Sequence, residues 1–366
     1  VGDAAEVAGL DLESVTRWLD REHPGLRRGD LRARIIAGGR SNITYALDDD
    51  THRLVLRRPP LGHVLATAHD MAREHRVISA LGGSPVPVPA TVALCDDREH
   101  RVISALGGSP VPVPATVALC DDLEVLGAPF YLMERVEGDI VRTREQLLQV
   151  PAAARAPLAH RLVDTLAALH GVDPGAVGLA DFGRPDGFLH RQVRRWGQQL
   201  DASRSRDVDG IDDLHAALGA AVPTSQRATV VHGDYRLDNV LVGPGYEIAA
   251  VLDWEMSTLG DPLTDIGLLL VYWGDGQRGT LGSVTETPGS VEGYPGGADL
   301  AERYAAASGL DLSPLPWYVA MGCFKLAVVL EGIHYRYTQG QTVGAGFDTI
   351  GAVVPGLVAA GRANLI

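Results

Sequence analysis

The sequence predicts an α+β protein in which a small antiparallel sheet carrying one helix precedes a larger, mostly helical half. Three observations carry that expectation. β-rich runs separated by turn signals fill the first part of the chain, apolar residues at helical spacing dominate from position 151 onward, and one β-rich stretch at 230–253 interrupts the helical half.

Residues 13–22 have the pattern of a short amphipathic helix. Strands are expected at 31–36, 43–47 and 53–57, separated by the turn signals Gly38-Gly39 and Asp48-Asp49-Asp50. A helix over 67–81 follows, with Val77, Ile78 and Leu81 on one face and Gly82-Gly83 ending it, and 130–133 reads as a further strand. Helices are then expected at 158–169, 188–200, 262–273, 300–308 and 315–337. The change of character divides the chain into 1–134 and 139–366, with Glu134-Arg135-Val136-Glu137-Gly138 as the hinge and a ligand cleft between the two lobes.

The segment 73–97 recurs, letter for letter, at 98–122. Two perfect copies do not make a solenoid, which needs several diverged repeats to bury a shared core. The functional chain is therefore one copy plus an insertion. Two of its three cysteines, Cys95 and Cys120, are the same cysteine counted twice, and Cys323 is the third.

Composition is that of an ordinary globular chain, with 46% apolar and 21% charged residues. No stretch approaches the ~20 apolar residues of a membrane span. The first residues are acidic and lack the layout of a signal peptide, and the few cysteines have no metal-like spacing, so a cytoplasmic location is expected. A net charge of −14 argues against a nucleic-acid partner, whose phosphates demand a basic surface.

The chemistry concentrates in His232-Gly233-Asp234-Tyr235-Arg236-Leu237-Asp238-Asn239, followed by Asp253-Trp254-Glu255. Residues 239–242 and 248–252 read as two strands of a hairpin, which places Asn239 and Asp253 side by side at its open end. Asp234 lies on the loop that leads in. Two carboxylates and an amide then converge, a donor set suited to Mg²⁺ and phosphoryl transfer. Asp234 would accept the proton of an attacking hydroxyl, Asp253 would bridge metal and phosphates, and Asn239 would hold a second metal. Glu255, two residues along an alternating strand from Asp253, would support the metal or its water shell.

The stretch 231–265 resembles the catalytic core of the aminoglycoside phosphotransferase and choline kinase-like superfamily, and the resemblance extends over nearly the whole chain. Its branch is similar to the kinase portion of certain large acyl-CoA dehydrogenases, on the cues Leu56-Arg57-Arg58-Pro59-Pro60, Gly127-Ala128-Pro129-Phe130, Met133-Glu134 and Asp253-Trp254-Glu255. The resemblance implies a bilobal protein-kinase-like fold, ATP and Mg²⁺ as cofactors, and the roles just given to Asp234, Asn239 and Asp253. It also implies that Asp265 buttresses the catalytic loop, while Asp261 before Pro262 reads equally well as a helix cap.

In such folds a turn between the first two strands covers the nucleotide phosphates, which here would be Gly38-Gly39-Arg40-Ser41-Asn42, with Gly39, Ser41 and Asn42 as contacts. Arg57 stands where kinases carry a phosphate-binding lysine, with Arg58 as the alternative. Its ion-pair partner would be Glu74 of the first copy or Glu99 of the second. Glu74 is preferred, because residues 67–72 extend its helix, while the second copy leads into the strand next to the hinge. Glu134 and Val136 would hydrogen-bond adenine through their backbone. Asp181-Phe182-Gly183 precedes the catalytic loop, the wrong order for a metal role, and Gly274-Asp275-Gly276-Gln277-Arg278-Gly279 follows a helix rather than a strand, so neither is a site.

The acceptor is expected to be a small molecule bearing a hydroxyl, first a hydroxyacyl-CoA by resemblance, then an aminoglycoside or similar antibiotic. Arg191, Arg194 and Arg195 form a basic edge at i, i+3 and i+4 that would bind an anionic acceptor or be a solvated helix face. His334, Tyr335 and Arg336 would line the same pocket or pack. From a different class, the chain would be a nucleotide-binding pseudokinase that regulates a partner, because the insertion stands beside the helix that orients Arg57.

Overall fold

The computed structural model describes residues 7–36, 43–59, 97–274, 286–340 and 347–365. The chain divides into two compact units, one formed by the described residues up to Gly107 with Pro114–Val136, the other by Gly108–Val113 and everything from Glu137 onward.

The first unit contains strands β1 (Arg32–Ile35), β2 (Ile43–Asp48), β3 (Arg53–Arg58), β4 (Thr116–Cys120) and β5 (Phe130–Glu134), in one antiparallel sheet of order β1-β2-β3-β5-β4. Alternation decides which face each side chain takes. Tyr45, Leu47, Leu56, Phe130 and Leu132 share a core with Val15, Trp18 and Leu19 of helix α1 (Leu12–Glu22), whose spacing of three and four puts them on one stripe. Asp11 caps that helix by accepting the Ser14 N–H at 3.0 Å. Tyr131, between Phe130 and Leu132, meets His100 of helix α2 (Asp97–Leu106) edge-on with ring centroids 5.8 Å apart, so α2 covers the other face. A short helical turn, α3 (Leu123–Leu126), links β4 to β5.

The second copy of the repeat thus supplies both α2 and β4, consecutively. The helix expected over 67–81 lies outside the described residues. The proline-rich segment between α2 and β4 counts with the second unit, although the sequence places it in the first; there the Pro112 carbonyl accepts the Val251 N–H at 2.8 Å.

The second unit holds α4 (Arg144–Gln149), α5 (Ala152–Gly171), α6 (Phe188–Ser203), α7 (Ile211–Ala220), α8 (Leu263–Trp273), α9 (Gly297–Ser308), α10 (Leu315–Thr338) and α11 (Ile350–Ala363). Two short antiparallel pairs interrupt them, β6 (Thr229–Val231) with β9 (Thr258–Gly260) and β7 (Val240–Val242) with β8 (Ile248–Val251). α5 begins six residues before the expected helix and contains Pro157, and α11, unforeseen in the sequence, contains Pro355. Proline removes one helical hydrogen bond, and packing of the apolar faces compensates in both helices.

α10 is long and apolar enough to cross a bilayer, which the sequence reading did not register, but most of it is buried among its neighbours. α8 approaches it so closely at Gly267 that a Cβ would lie 2.7 Å from the Tyr318 carbonyl carbon. The Asp261 carboxylate accepts the Leu263 N–H at 2.9 Å at the start of α8 and the Tyr318 hydroxyl at 2.9 Å. These contacts set the positions of Asp265, Tyr272 and Lys325.

Candidate active site

The chain leaves β6 through His232 and Gly233, and the loop is held from below by Asp265 in the first turn of α8. One Asp265 oxygen accepts the His232 N–H at 2.7 Å and the His170 Nε2–H at 3.2 Å, and the other accepts the Gly233 N–H at 2.8 Å. Burial alone would raise this carboxyl. The hydrogen bond and electrostatic attraction of His170, with the contribution of His232, outweigh it and hold Asp265 below the ordinary 3.8. Burial pushes the Tyr304 phenol well up, so it stays protonated and donates to His170 Nδ1 at 2.6 Å, which assigns the imidazole its Nε2–H tautomer. Gly233 is obligatory: its φ is +86°, and a Cβ would meet the Met256 carbonyl oxygen at 2.7 Å.

The His232 ring joins the two halves of the motif. Its Nε2–H donates to the Leu252 carbonyl at 2.8 Å and its Nδ1 accepts the Asp234 N–H at 3.2 Å, with Trp254 tilted against it at 4.7 Å. The loop bearing Asp234 is thereby tied to the strand end that leads into Asp253.

Asp234 and Asn239 are in direct contact. Asn239 Nδ2 donates to the Asp234 carbonyl at 2.8 Å and to its Oδ2 at 3.0 Å, which turns the amide oxygen away as an open ligand. The other Asp234 oxygen accepts the Tyr272 hydroxyl at 3.1 Å. Burial above all, then the Asp234 charge, pushes that phenol up and keeps it a donor. The Arg236 guanidinium, paired with Asp238, lies over the Tyr272 ring at 4.2 Å. Tyr272 escaped the sequence reading because its position in an apolar helix looks like core. Tyr272→Phe should lower kcat about three- to tenfold with little change in KM for nucleotide, the loss of one hydrogen bond to the proton acceptor, as initial-rate measurements would reveal.

The hairpin has the expected closure. The Leu252 N–H donates to the Asn239 carbonyl at 2.8 Å, setting Asp253 one residue beyond Asn239 at the open end. Asp253 is left-handed, with φ 66° and ψ 55°, and shares a positive φ among non-glycine residues only with Tyr246 among those described. Such a conformation costs about 1–3 kcal/mol and persists where the surroundings enforce it. Asp253→Gly should therefore raise stability by about 1 kcal/mol in urea unfolding while weakening metal-dependent nucleotide binding in calorimetry.

Glu255 needs a correction. The expected alternation ends at Val251, and Trp254–Met256 form a tight 3₁₀ turn, so Glu255 is an exposed turn residue rather than a strand neighbour on the Asp253 side. No group of three or more His, Cys, Asp or Glu gathers into a metal cage among the described residues. Mg²⁺ takes one or two protein oxygens and completes its shell with phosphate and water, and Asp253 with the Asn239 amide oxygen fits that donor set.

In the first unit Arg57 Nη1 and Glu99 Oε1 form a buried ion pair of 2.6 Å. The sequence favoured Glu74, which lies outside the described residues. Glu99 takes the place because the helix that packs on this face, α2, belongs to the second copy. Arg58 is excluded as the alternative, since alternation sends it to the opposite face, where Nη1 donates to the Gly9 carbonyl at 2.8 Å. The Glu134 N–H is committed to the Ala115 carbonyl at 2.8 Å, whereas the Val136 backbone groups have no partner among the described residues, so of the two Val136 is the better hydrogen-bonding edge. Gly39, Ser41 and Asn42, with Gly38 and Arg40, lie outside the described residues.

Asp181-Phe182-Gly183 is a packed turn: Phe182 is buried, and a Cβ on Gly183 would lie 2.6 Å from the Thr258 hydroxyl. Gly274 ends α8 with φ +84°, and 275–279 lie outside the described residues. His334 packs on Gly351, and Tyr335 is exposed.

The model of the phosphotransferase enzyme family matches residues 32–103 and 96–300, the two stretches overlapping within the second repeat copy. The chain is 32% identical over 342 residues to acyl-CoA dehydrogenase family member 11 of Gallus gallus, covering 91% of this chain and 40% of that protein. It is 31% identical over 310 residues to family member 10 of Mus musculus, covering 84% and 27%. The chain thus spans well under half the length of these relatives. Among solved structures, a protein of Ralstonia eutropha JMP134 described as a candidate aminoglycoside phosphotransferase superposes with a TM-score of 0.79 at 29% identity, covering 97% of this chain and 98% of that one. The GDP and kanamycin complex of APH(2")-IIIa shares the fold, with a TM-score of 0.59 at 15% identity over 96% and 98%.

Proposed function

Because the chain belongs to the phosphotransferase enzyme family, we propose that it transfers the γ-phosphoryl group of ATP to a hydroxyl of a small molecule, with Asp234 as proton acceptor. The observation that carries this is the pair of donors, Asn239 Nδ2 and the Tyr272 hydroxyl, that fix one Asp234 oxygen each. A hydroxyl held against Asp234 would form its bond to the γ-phosphorus as the bond to the β-phosphate oxygen breaks. The hydroxyl proton passes to the Asp234 carboxylate and then to solvent, and ADP leaves. Asp253 and the Asn239 amide oxygen would hold Mg²⁺, which when bound neutralises charge on the phosphates. Arg57, oriented by Glu99, would meet the α- and β-phosphates, and the Val136 backbone would meet adenine.

For the acceptor, a hydroxyacyl-CoA is the first reading. Relatives 31–32% identical carry this portion within proteins named acyl-CoA dehydrogenases, which supports an acyl-CoA as the shared compound. An aminoglycoside is the alternative, on fold likeness to a structure that binds kanamycin. The Arg57–Glu99 ion pair supports transfer over the alternative of a nucleotide-binding pseudokinase. The test is ADP release by the purified chain with ATP, Mg²⁺ and either 4-hydroxyacyl-CoA or kanamycin. Transfer to kanamycin alone overturns the acyl reading, and nucleotide binding without ADP release on any acceptor overturns transfer itself.

A further inference from the structure

α10 is an apolar core helix, yet it carries a lysine in its middle, between the buried Phe324 and Leu326. A charged group in such a helix gives up hydration, and packing alone would be served better by leucine or methionine. A local rule broken without a packing gain marks a functional position. Lys325 Nζ donates to the Gly233 carbonyl at 2.6 Å, and the ring of Trp196, on α6, stands 5.5 Å from the ammonium. Burial lowers the ammonium, the charges of Asp234 and Asp265 sustain it, and Arg195 works against it.

The Lys325 bond falls on the joint of the catalytic loop. Gly233, at φ +86°, has no side chain to restrict its torsions, so the peptide joining it to Asp234 is the part of the loop freest to turn. That peptide is held on both sides. Its carbonyl accepts from the Lys325 ammonium, and its N–H, which belongs to Asp234, donates to His232 Nδ1 at 3.2 Å. Asp265 holds the preceding N–H, that of Gly233. Asn239 and Tyr272 can aim the Asp234 carboxylate once this backbone is in place. A hydrogen bond from a charged donor is about twice as strong as a neutral one, which suits Lys325 to the anchoring position.

Resting on the transferase reading above, we propose that Lys325 is a positioning residue: its ammonium locks the Gly233–Asp234 peptide and thereby holds the Asp234 carboxylate where it receives the proton of the acceptor. It acts through Asp234 and touches neither nucleotide nor acceptor, so its loss falls on turnover and not on binding.

The test uses the full chain and two variants. Lys325→Met keeps an unbranched apolar stem and removes the ammonium, whereas Lys325→Arg keeps a charged donor. ADP release is followed with ATP, Mg²⁺ and 4-hydroxyacyl-CoA or kanamycin. Lys325→Met should lower kcat about 10–100-fold, with KM for ATP and calorimetric nucleotide affinity within about twofold of the parent. Hydrogen exchange at the Asp234 amide should quicken about tenfold or more in that variant, with exchange in α6 and α10 unchanged. Lys325→Arg should recover most of the rate and the slow exchange. Parental kcat and exchange in Lys325→Met overturn the proposal, and so does protection lost evenly through α6, α10 and the loop, the mark of a packing role. Absence of ADP release from the parent on either acceptor, with loop exchange that Lys325→Met quickens and Lys325→Arg restores, removes the transferase reading and supports Lys325 as the anchor of the loop. Turnover by the parent that Lys325→Met leaves intact does the reverse.

Discussion

Asp234→Asn reduces phosphoryl transfer by about 10²–10⁴-fold while nucleotide affinity stays within about twofold. The variant keeps the shape of the side chain, and its amide oxygen can still accept a hydrogen bond from Tyr272 or Asn239. It loses the ability to take a proton. Nothing in the Arg57–Glu99 pair or the Val136 backbone depends on that ability, so binding and chemistry should separate. ADP release and calorimetric nucleotide titration on one preparation give both numbers. Near-parental turnover would remove Asp234 as the proton acceptor. Lost nucleotide affinity would mean that the carboxylate acts chiefly on the metal.

The second large effect is on stability. Asp265 is fully buried and accepts three hydrogen bonds, from the His232 and Gly233 backbone and from His170. In Asp265→Asn one of those donors faces an NH₂ group, and the negative charge that the buried N–H donors stabilise is gone. About 3 kcal/mol or more should be lost in urea unfolding, as for other broken buried networks. Because the folded-state pKa of Asp265 is depressed, its stabilisation is fully present above the ordinary 3.8 and is lost as pH falls below that value through the folded pKa. The gap between parent and variant should accordingly hold from pH 5 to 7 and shrink in stronger acid. A constant gap throughout would assign the loss to packing rather than charge.

Much of the candidate site could be read from spacing because its geometry is local. A hairpin closed by residues 243–247 brings Asn239 to the position preceding Asp253 whatever surrounds it, and Asp234 is only five residues from Asn239. Glu255 failed on the same local scale, since the left-handed turn at Asp253 breaks the alternation on which its placement relied. Tyr272 and Lys325 were out of reach for another reason. They come to the Asp234 loop from 38 and 92 residues away, on helices whose apolar pattern identifies a core face but not its neighbour.

The amino-acid order by itself determined the α+β class, the antiparallel sheet before the helices, and the hairpin that follows the Asp234–Asn239 loop and leads into Asp253, all of which follow from short-range periodicity and turn chemistry. Tertiary structure alone decided which of two identical segments supplies the glutamate for Arg57. Equal sequences have equal local propensities, so only long-range packing against the sheet can distinguish them, and it places Glu99 there. The same long-range packing brought the Tyr272 hydroxyl to the Asp234 carboxylate and the Lys325 ammonium to the Gly233 carbonyl beside it.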